Sequence, residues 1–144
     1  MSDEDFVVLI AEDSGHDILA IKRAWMKHKI DNPLKIVRDG EECLDYLHQR
    51  GQYADPGTSP RPKVLLLDLN MPKMDGLAVL EQIRENGELR HLPVVVLTTS
   101  KAEKDRVKSY DLGVNAYIVK PVGFENFADA IRDINLFWKL VETP

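Results

Sequence analysis

Short apolar runs that alternate with helical patterns constrain the fold of this chain more than any other feature. The runs cover Phe6–Ala11, Lys35–Val37, Val64–Leu67, Val94–Leu97 and Ala116–Val119, and a helical pattern follows each of them. Continuous apolar runs of this length are typical of parallel strands that helices cover on both faces. Five strand-then-helix units in a row therefore predict an α/β fold built on one parallel sheet.

Cap and turn signals set the expected element boundaries. Ser14 is a candidate N-cap with Asp17 three residues later, and the first helix must stop before Asp31-Asn32-Pro33. Asp39-Gly40 reads as a turn, and Gly51 is expected to stop the second helix. The Gly-, Pro- and Ser-rich stretch up to residue 63 then predicts one long loop. A helix around residues 107–110 is expected to end at Gly113.

Composition excludes several classes of protein. The chain has 144 residues and a formal net charge of −5, and no run of Lys or Arg forms the basic patch that nucleic acid requires. The lone Cys43 cannot form an intramolecular disulfide, and the four histidines are scattered rather than spaced as zinc ligands. The first apolar run is too short for a signal peptide or a membrane span. We therefore expect a cytoplasmic protein that binds neither nucleic acid nor membrane.

Five strands suit the flavodoxin-like, doubly wound strand order 2-1-3-4-5. In that order the topological switch point lies between strands 1 and 3, and ligands bind at the carboxyl ends of those strands. We therefore expect a functional site at this edge of the sheet.

Reactive side chains follow four of the strands at that edge. They are Glu12 and Asp13 after strand 1, Asp68 after strand 3, Thr98 after strand 4 and Lys120 after strand 5. Carboxylates brought together repel each other unless a cation such as Mg²⁺ joins them, and Mg²⁺ prefers oxygen ligands. Such a site would keep Asp68 ionised as a nucleophile towards phosphorus, while Lys120 and Thr98 stabilise phosphoryl oxygens.

Each of these residues also has a simpler structural interpretation. The two acids after strand 1 can cap the next helix, and Asp68 can begin a turn. Thr98 can be a hydrogen-bonded strand end, and Lys120 can be a solvated lysine. The functional interpretation is favoured because four strand ends carry complementary groups.

With these motifs in place, the chain resembles the receiver domains of two-component response regulators, whose fold is called CheY-like. The resemblance is carried by the stretches Val8–Asp13 (VLIAED), Val64–Gly76 (VLLLDLNMPKMDG), Pro93–Thr99 (PVVVLTT) and Ala116–Pro121 (AYIVKP). It implies that a histidine kinase transfers a phosphoryl group to Asp68, and that the domain then signals by protein–protein contact. The chain would be a phosphoacceptor that assists its own phosphorylation and dephosphorylation rather than an enzyme.

The resemblance also assigns roles to single residues. It implies that Glu12, Asp13, Asp68 and the backbone carbonyl of Asn70 hold Mg²⁺, for which Mn²⁺ or Ca²⁺ can substitute in a crystal. Lys120 would contact the phosphoryl group, and the bond before Pro121 would be cis. Phosphorylation would draw Thr98 inward and Tyr117 would turn into the space it leaves, although Tyr117 can also be a plain half-buried strand residue.

A narrower resemblance points to the small response regulators that partner bacterial and cyanobacterial phytochrome kinases. It is carried by Gly51–Asp55, Lys120–Phe127 and Leu136–Trp138. Two positions depart from the expected pattern, because Gly123 replaces an acid and Thr99 replaces an alanine.

The C-terminal segment predicts an interaction surface. We expect one receiver domain over residues 1–144, with a core at about 5–134, a helix end and tail at 135–144, and no output domain. The last helix is apolar over much of its circumference, which favours a homodimer through helix 4, strand 5 and helix 5, although the tail can instead fold back on its own core. Its apolar positions are Phe124, Phe127, Ile131, Ile134, Phe137 and Trp138.

Two other functions compete with this interpretation. A Mg²⁺-dependent phosphohydrolase that forms an aspartyl-phosphate typically carries a second acid two residues after its nucleophile, where this chain has Asn70. A phosphate-independent interaction module would have no need of the intact acid, threonine and lysine set. A nucleotide- or flavin-binding domain is disfavoured because no Gly-rich phosphate loop follows strand 1.

Overall fold

A computed structural model describes residues 7–120, whose strands form a single five-stranded parallel sheet. The strands are β1 (Val8–Ala11), β2 (Leu34–Val37), β3 (Val64–Asp68), β4 (Val94–Thr98) and β5 (Ala116–Val119), arranged in the order β2-β1-β3-β4-β5. The helices between them are α1 (Gly15–Lys27), α2 (Gly40–Leu47), α3 (Gly76–Glu85) and α4 (Lys101–Ser109). The predicted fold class and strand order are confirmed.

The central strands of the sheet, β1, β3 and β4, are buried on both faces because they are apolar at every position before the polar ends of β3 and β4. Alternate residues of β1 and β3 face opposite sides: Leu9 and Leu65 join the core under α2 and α3, whereas Ile10 and Leu66 pack against α1. All four of these side chains are fully buried. Period-two alternation of side chains thus divides one continuous apolar run between two cores.

Strand register brings the carboxyl ends of the strands to one edge. Ala11 pairs with Leu67, and Thr98 pairs with Val119. The residues that follow these positions, Glu12 after β1 and Lys120 after β5, therefore leave the sheet at the same edge.

Three of the predicted boundaries differ from the structure. Asp39-Gly40 is not a free turn, because the Asp39 side chain accepts a hydrogen bond from the backbone N–H of Glu42 and caps α2. Helix α2 ends at Leu47, before Gly51, and Gly51 instead begins a short 3₁₀ turn, Gly51–Tyr53, within the predicted loop. Helix α4 ends at Ser109, well before Gly113.

Several sequence predictions concern residues outside the described range. These are the cis bond before Pro121, the departure at Gly123 and the whole apolar stripe of the predicted last helix. Within residues 7–120, no helix is both long enough and apolar enough to cross a membrane.

Gly76 allows α3 to start directly against the end of β3. A Cβ atom at this position would lie 2.5 Å from the backbone oxygen of Asp68 and 2.7 Å from the Cα of Leu69. Neither backbone atom can move without shifting the strand end, so only glycine fits. The position of Asp68 therefore depends on a residue eight positions later in the chain.

We expect Gly76→Ala to lower the free energy of unfolding by about 2 kcal/mol, because the added methyl group overpacks a rigid backbone contact. Gly87→Ala is the matched control, since a Cβ there meets nothing within 4 Å. Urea denaturation of both variants measures the difference. Equal stability of the two variants would contradict the packing role assigned to Gly76.

Candidate functional site at the carboxyl edge of the sheet

The ammonium group of Lys120 lies at the centre of the site. Its Nζ donates to Glu12 Oε1 at 2.5 Å, to Asp17 Oδ2 at 2.8 Å and to Asp68 Oδ2 at 3.2 Å. The Lys120 side chain is only 9% exposed. One buried cation thus joins acids from the ends of β1 and β3 and from the first turn of α1.

Burial and mutual repulsion shift the protonation of this cluster. Glu12 is fully buried, and burial together with the neighbouring Asp68 raises its pKa from the usual 4.5 to about 8, although Lys120 opposes the shift. Burial alone would lower the pKa of Lys120, but its hydrogen bonds to Asp17 and Glu12 outweigh that cost and raise it. Lys120 therefore stays charged, while Glu12 holds a proton more tightly than an ordinary glutamate does.

Asp68 is held at both carboxylate oxygens. Its Oδ2 accepts from Lys120, and its Oδ1 accepts from the backbone N–H of Asn70 at 3.1 Å. Its side chain is only 4% exposed, whereas Asp13 and Asn70 beside it are exposed. Asp68 is thus oriented by the protein, and it lies two residues before an exposed side chain, that of Asn70.

Thr98 closes the other side of the site. It is fully buried, and its hydroxyl donates to the carboxylate of Glu103 on α4. The same Glu103 oxygen accepts from the side-chain amide of Asn70 at 3.3 Å. The switch residue suggested by the sequence is thus bonded to an acid that the sequence analysis did not single out.

Tyr117 lies in β5 beside the site without forming part of the acid cluster. It is half-buried against the core under α2 and α3, and the Lys108 ammonium lies 5.5 Å from its ring centroid. Burial raises the pKa of Tyr117, and the nearby charge of Asp111 raises it further. The ring is therefore packed at the β5–α4 face, where it also contacts a cation.

The donor chemistry of the site suits a hard divalent cation. Its candidate ligands are carboxylate and carbonyl oxygens, which Mg²⁺ prefers over nitrogen or sulfur. Three carboxylates, those of Glu12, Asp17 and Asp68, share the single ammonium of Lys120. Within residues 7–120, however, no three acid, imidazole or thiol groups form a ready-made metal cage. Any such cation would have to share Glu12 and Asp68 with Lys120.

Two residues of the site, Asp17 and Glu103, were missed as functional candidates. Each is the third residue of a helix that begins after a serine N-cap, Ser14 for α1 and Ser100 for α4. At that position an acid is normally explained by capping. Topology could have identified both acids from the sequence. Helices that follow parallel strands begin at the carboxyl edge of the sheet, and the site lies at that edge.

Comparison with known proteins places the chain among signalling domains. A family model described as the response regulator receiver domain matches residues 8–132. Response regulator Rcp1 of Synechocystis sp. is 42% identical over 141 residues, which cover 96% of this chain and 94% of that protein. The Mn²⁺-bound crystal structure of Rcp1 superposes with a TM-score of 0.81 and 41% identity, covering 96% of both chains.

Two further crystal structures are similarly close. The phosphorylated cyanobacterial phytochrome response regulator RcpA gives a TM-score of 0.85 at 39% identity, covering 96% of this chain and 97% of that one. RPA3017, a response regulator in red light signalling of R. palustris, gives a TM-score of 0.84 at 41% identity, covering 92% of both chains. The similarity therefore extends over nearly the full length of each relative.

The raised pKa of Glu12 predicts a pH-dependent loss of stability in the metal-free protein. Because its folded-state pKa lies above its unfolded-state value, stability that is fully present below the unfolded pKa is lost as the pH rises through the folded one. Between about pH 5.5 and 7.5, the native protein should lose roughly 2–3 kcal/mol relative to Glu12→Gln, which cannot ionise. Chemical denaturation of both proteins with a chelator present measures this difference, and parallel pH profiles would refute it.

Proposed function

The chain belongs to the response regulator receiver domain family of two-component signalling proteins, and from that membership we propose that Asp68 accepts a phosphoryl group from the phosphohistidine of a histidine kinase. One observation carries the proposal: Lys120 Nζ lies 3.2 Å from Asp68 Oδ2 and also bonds Glu12 and Asp17. A buried lysine beside an oriented carboxylate provides a cation where phosphoryl oxygens would arrive.

The proposed transfer makes one bond and breaks one. A carboxylate oxygen of Asp68 attacks phosphorus, the bond from phosphorus to the kinase imidazole nitrogen breaks, and that nitrogen takes a proton from solvent water. The product is an acyl phosphate on Asp68. Lys120 remains charged throughout and binds one phosphoryl oxygen, while the Thr98 hydroxyl donates to another. The chain assists this transfer and the later hydrolysis, but it acts as a phosphoacceptor rather than as an enzyme on a separate substrate.

The proposed metal ligands are Glu12, Asp13, Asp68 and the backbone carbonyl of Asn70. When bound, Mg²⁺ would neutralise these acids and the charge on the phosphoryl oxygens. Rcp1 has been crystallised with Mn²⁺, which supports a divalent cation in this family. Solvent exposure of Asp13 leaves it open to bind a hydrated ion.

The proposed partner is a phytochrome-type histidine kinase in the cytoplasm. RcpA is a phytochrome response regulator and RPA3017 acts in red light signalling, and both resemble this chain over nearly its full length. The proposed output is protein–protein contact through α4, β5 and the segment after them, including a homodimer. The side chain of Tyr117 is half-buried on that face, which supports the proposal that phosphorylation alters this surface.

A phosphoryl-transfer assay tests the function directly. Incubation with acetyl phosphate and Mg²⁺ should add a single phosphoryl group, measured as the mass of the intact protein. Asp68→Asn and chelation of Mg²⁺ should each abolish the adduct, whereas Asp31→Asn, an exposed acid remote from the site, should leave it unchanged. A folded native protein without an adduct would favour the phosphate-independent interaction module.

The ligand assignment is tested by Mg²⁺ binding without any phosphodonor. Loss of a charged oxygen ligand in Asp13→Asn should weaken Mg²⁺ binding at least about tenfold. Isothermal titration calorimetry of the native protein, Asp13→Asn and Asp31→Asn measures the change and controls for the lost charge. Equal affinity in all three would remove Asp13 from the ligand set.

A further inference from the structure

Glu103 bonds two residues that flank Asp68. One carboxylate oxygen of Glu103, Oε1, accepts from the Thr98 hydroxyl and from the Asn70 side-chain amide, the latter at 3.3 Å. Thr98 ends β4, and Asn70 follows β3. A single acid of α4 therefore connects the loop that carries Asp68 to the strand end that would contact its phosphoryl group.

This contact departs from the usual capping of a helix start. Ser100 and Glu103 have the spacing of a capping box, in which the serine hydroxyl and the glutamate carboxylate each accept from the other residue's backbone N–H. Only half of the box is formed: Ser100 Oγ accepts from Glu103 N–H at 3.0 Å, but Ser100 N–H donates to Thr98 Oγ1 at 3.3 Å. The Glu103 carboxylate is therefore diverted from the local partner to Thr98. When a side chain beside a site forgoes the hydrogen bond that its local sequence favours, the different contact it makes indicates a functional constraint.

We propose that Glu103 is a positioning residue that holds the Thr98 hydroxyl away from the phosphoryl group in the resting state. This inference rests on the function proposed above. A threonine hydroxyl has one proton to donate, so Thr98 cannot donate to Glu103 and to a phosphoryl oxygen at the same time. Phosphorylation must therefore break the Thr98–Glu103 hydrogen bond before Thr98 can stabilise the product.

The same exchange links the site to the start of α4. Once Thr98 turns to the phosphoryl group, its oxygen no longer accepts from Ser100 N–H, and Glu103 loses the Thr98 hydroxyl as a donor. The Glu103 carboxylate can then accept from Ser100 N–H and complete the capping box. Phosphorylation at Asp68 would in this way rearrange the first turn of α4, a helix on the proposed output face.

The test measures affinity for beryllium fluoride, an analogue of the aspartyl-phosphate, at saturating Mg²⁺. Loss of a charge-assisted hydrogen bond from the resting state should make Glu103→Ala bind the analogue about tenfold more tightly than the native protein. Glu103→Gln keeps an acceptor without the charge and should gain less. Asp105→Asn, an exposed acid on the same helix, is the matched charge control and should stay within about twofold of native.

The same substitution made in the Thr98→Ala variant separates a positioning effect of Glu103 from an effect of its charge. In Thr98→Ala the hydroxyl is absent, so adding Glu103→Ala should change analogue affinity by less than about twofold. A tenfold gain that survives without the hydroxyl would assign the effect to charge and overturn the positioning role, as would native affinity in the single Glu103→Ala variant. If the native protein binds no analogue and forms no adduct with acetyl phosphate, the proposed function itself fails. The two failures are therefore distinguishable.

Discussion

Three acids share one buried ammonium at the carboxyl edge of the sheet, and the rest of the site depends on this arrangement. Each charge removed from water costs several kcal/mol, so the buried Asp68 lies beside a cation and the buried Glu12 holds its proton more tightly than an ordinary glutamate does. Lys120 supplies this cation from the end of β5, and the pairing of Thr98 with Val119 sets where that strand ends. The site can therefore assemble only when β5 pairs with β4 in the correct register. A one-residue slip of β5 would turn Lys120 to the opposite face of the sheet.

Helices α1 and α4 begin with the same arrangement of a serine N-cap and an acid three residues later. In α1 Ser14 accepts from the backbone N–H of Asp17, and in α4 Ser100 accepts from that of Glu103. The acid in each case turns its carboxylate towards the site, Asp17 to Lys120 and Glu103 to Thr98. Each helix start is thus capped by its serine alone, while its acid restrains one of the two side chains proposed to contact the phosphoryl group.

Periodicity predicted the architecture because every described strand is a continuous or nearly continuous apolar run. Glu12, Asp68, Thr98 and Lys120 could be located because each one ends or follows such a run. Asp17 could not be located in this way, because capping already explains an acid three residues after a serine. The partner that Asp17 binds in the structure, Lys120, lies more than 100 residues away in the chain. The Asp39-Gly40 pair was misread for a related reason: an Asp-Gly turn and a helix start use the same residues, and only the following turn of α2 distinguishes them.

In the proposed metal-bound form, Mg²⁺ and Lys120 compete for Glu12 and Asp68. Each carboxylate that turned to the metal would weaken its hold on the ammonium, yet the proposed phosphoryl transfer would need the ammonium to stay beside Asp68. Asp17 resolves this conflict, because it bonds Lys120 at 2.8 Å from α1 and is not among the proposed metal ligands. The lysine can therefore lose two of its three partners and keep its place. The third acid, which carried no functional prediction, is what makes a shared metal and lysine site physically consistent.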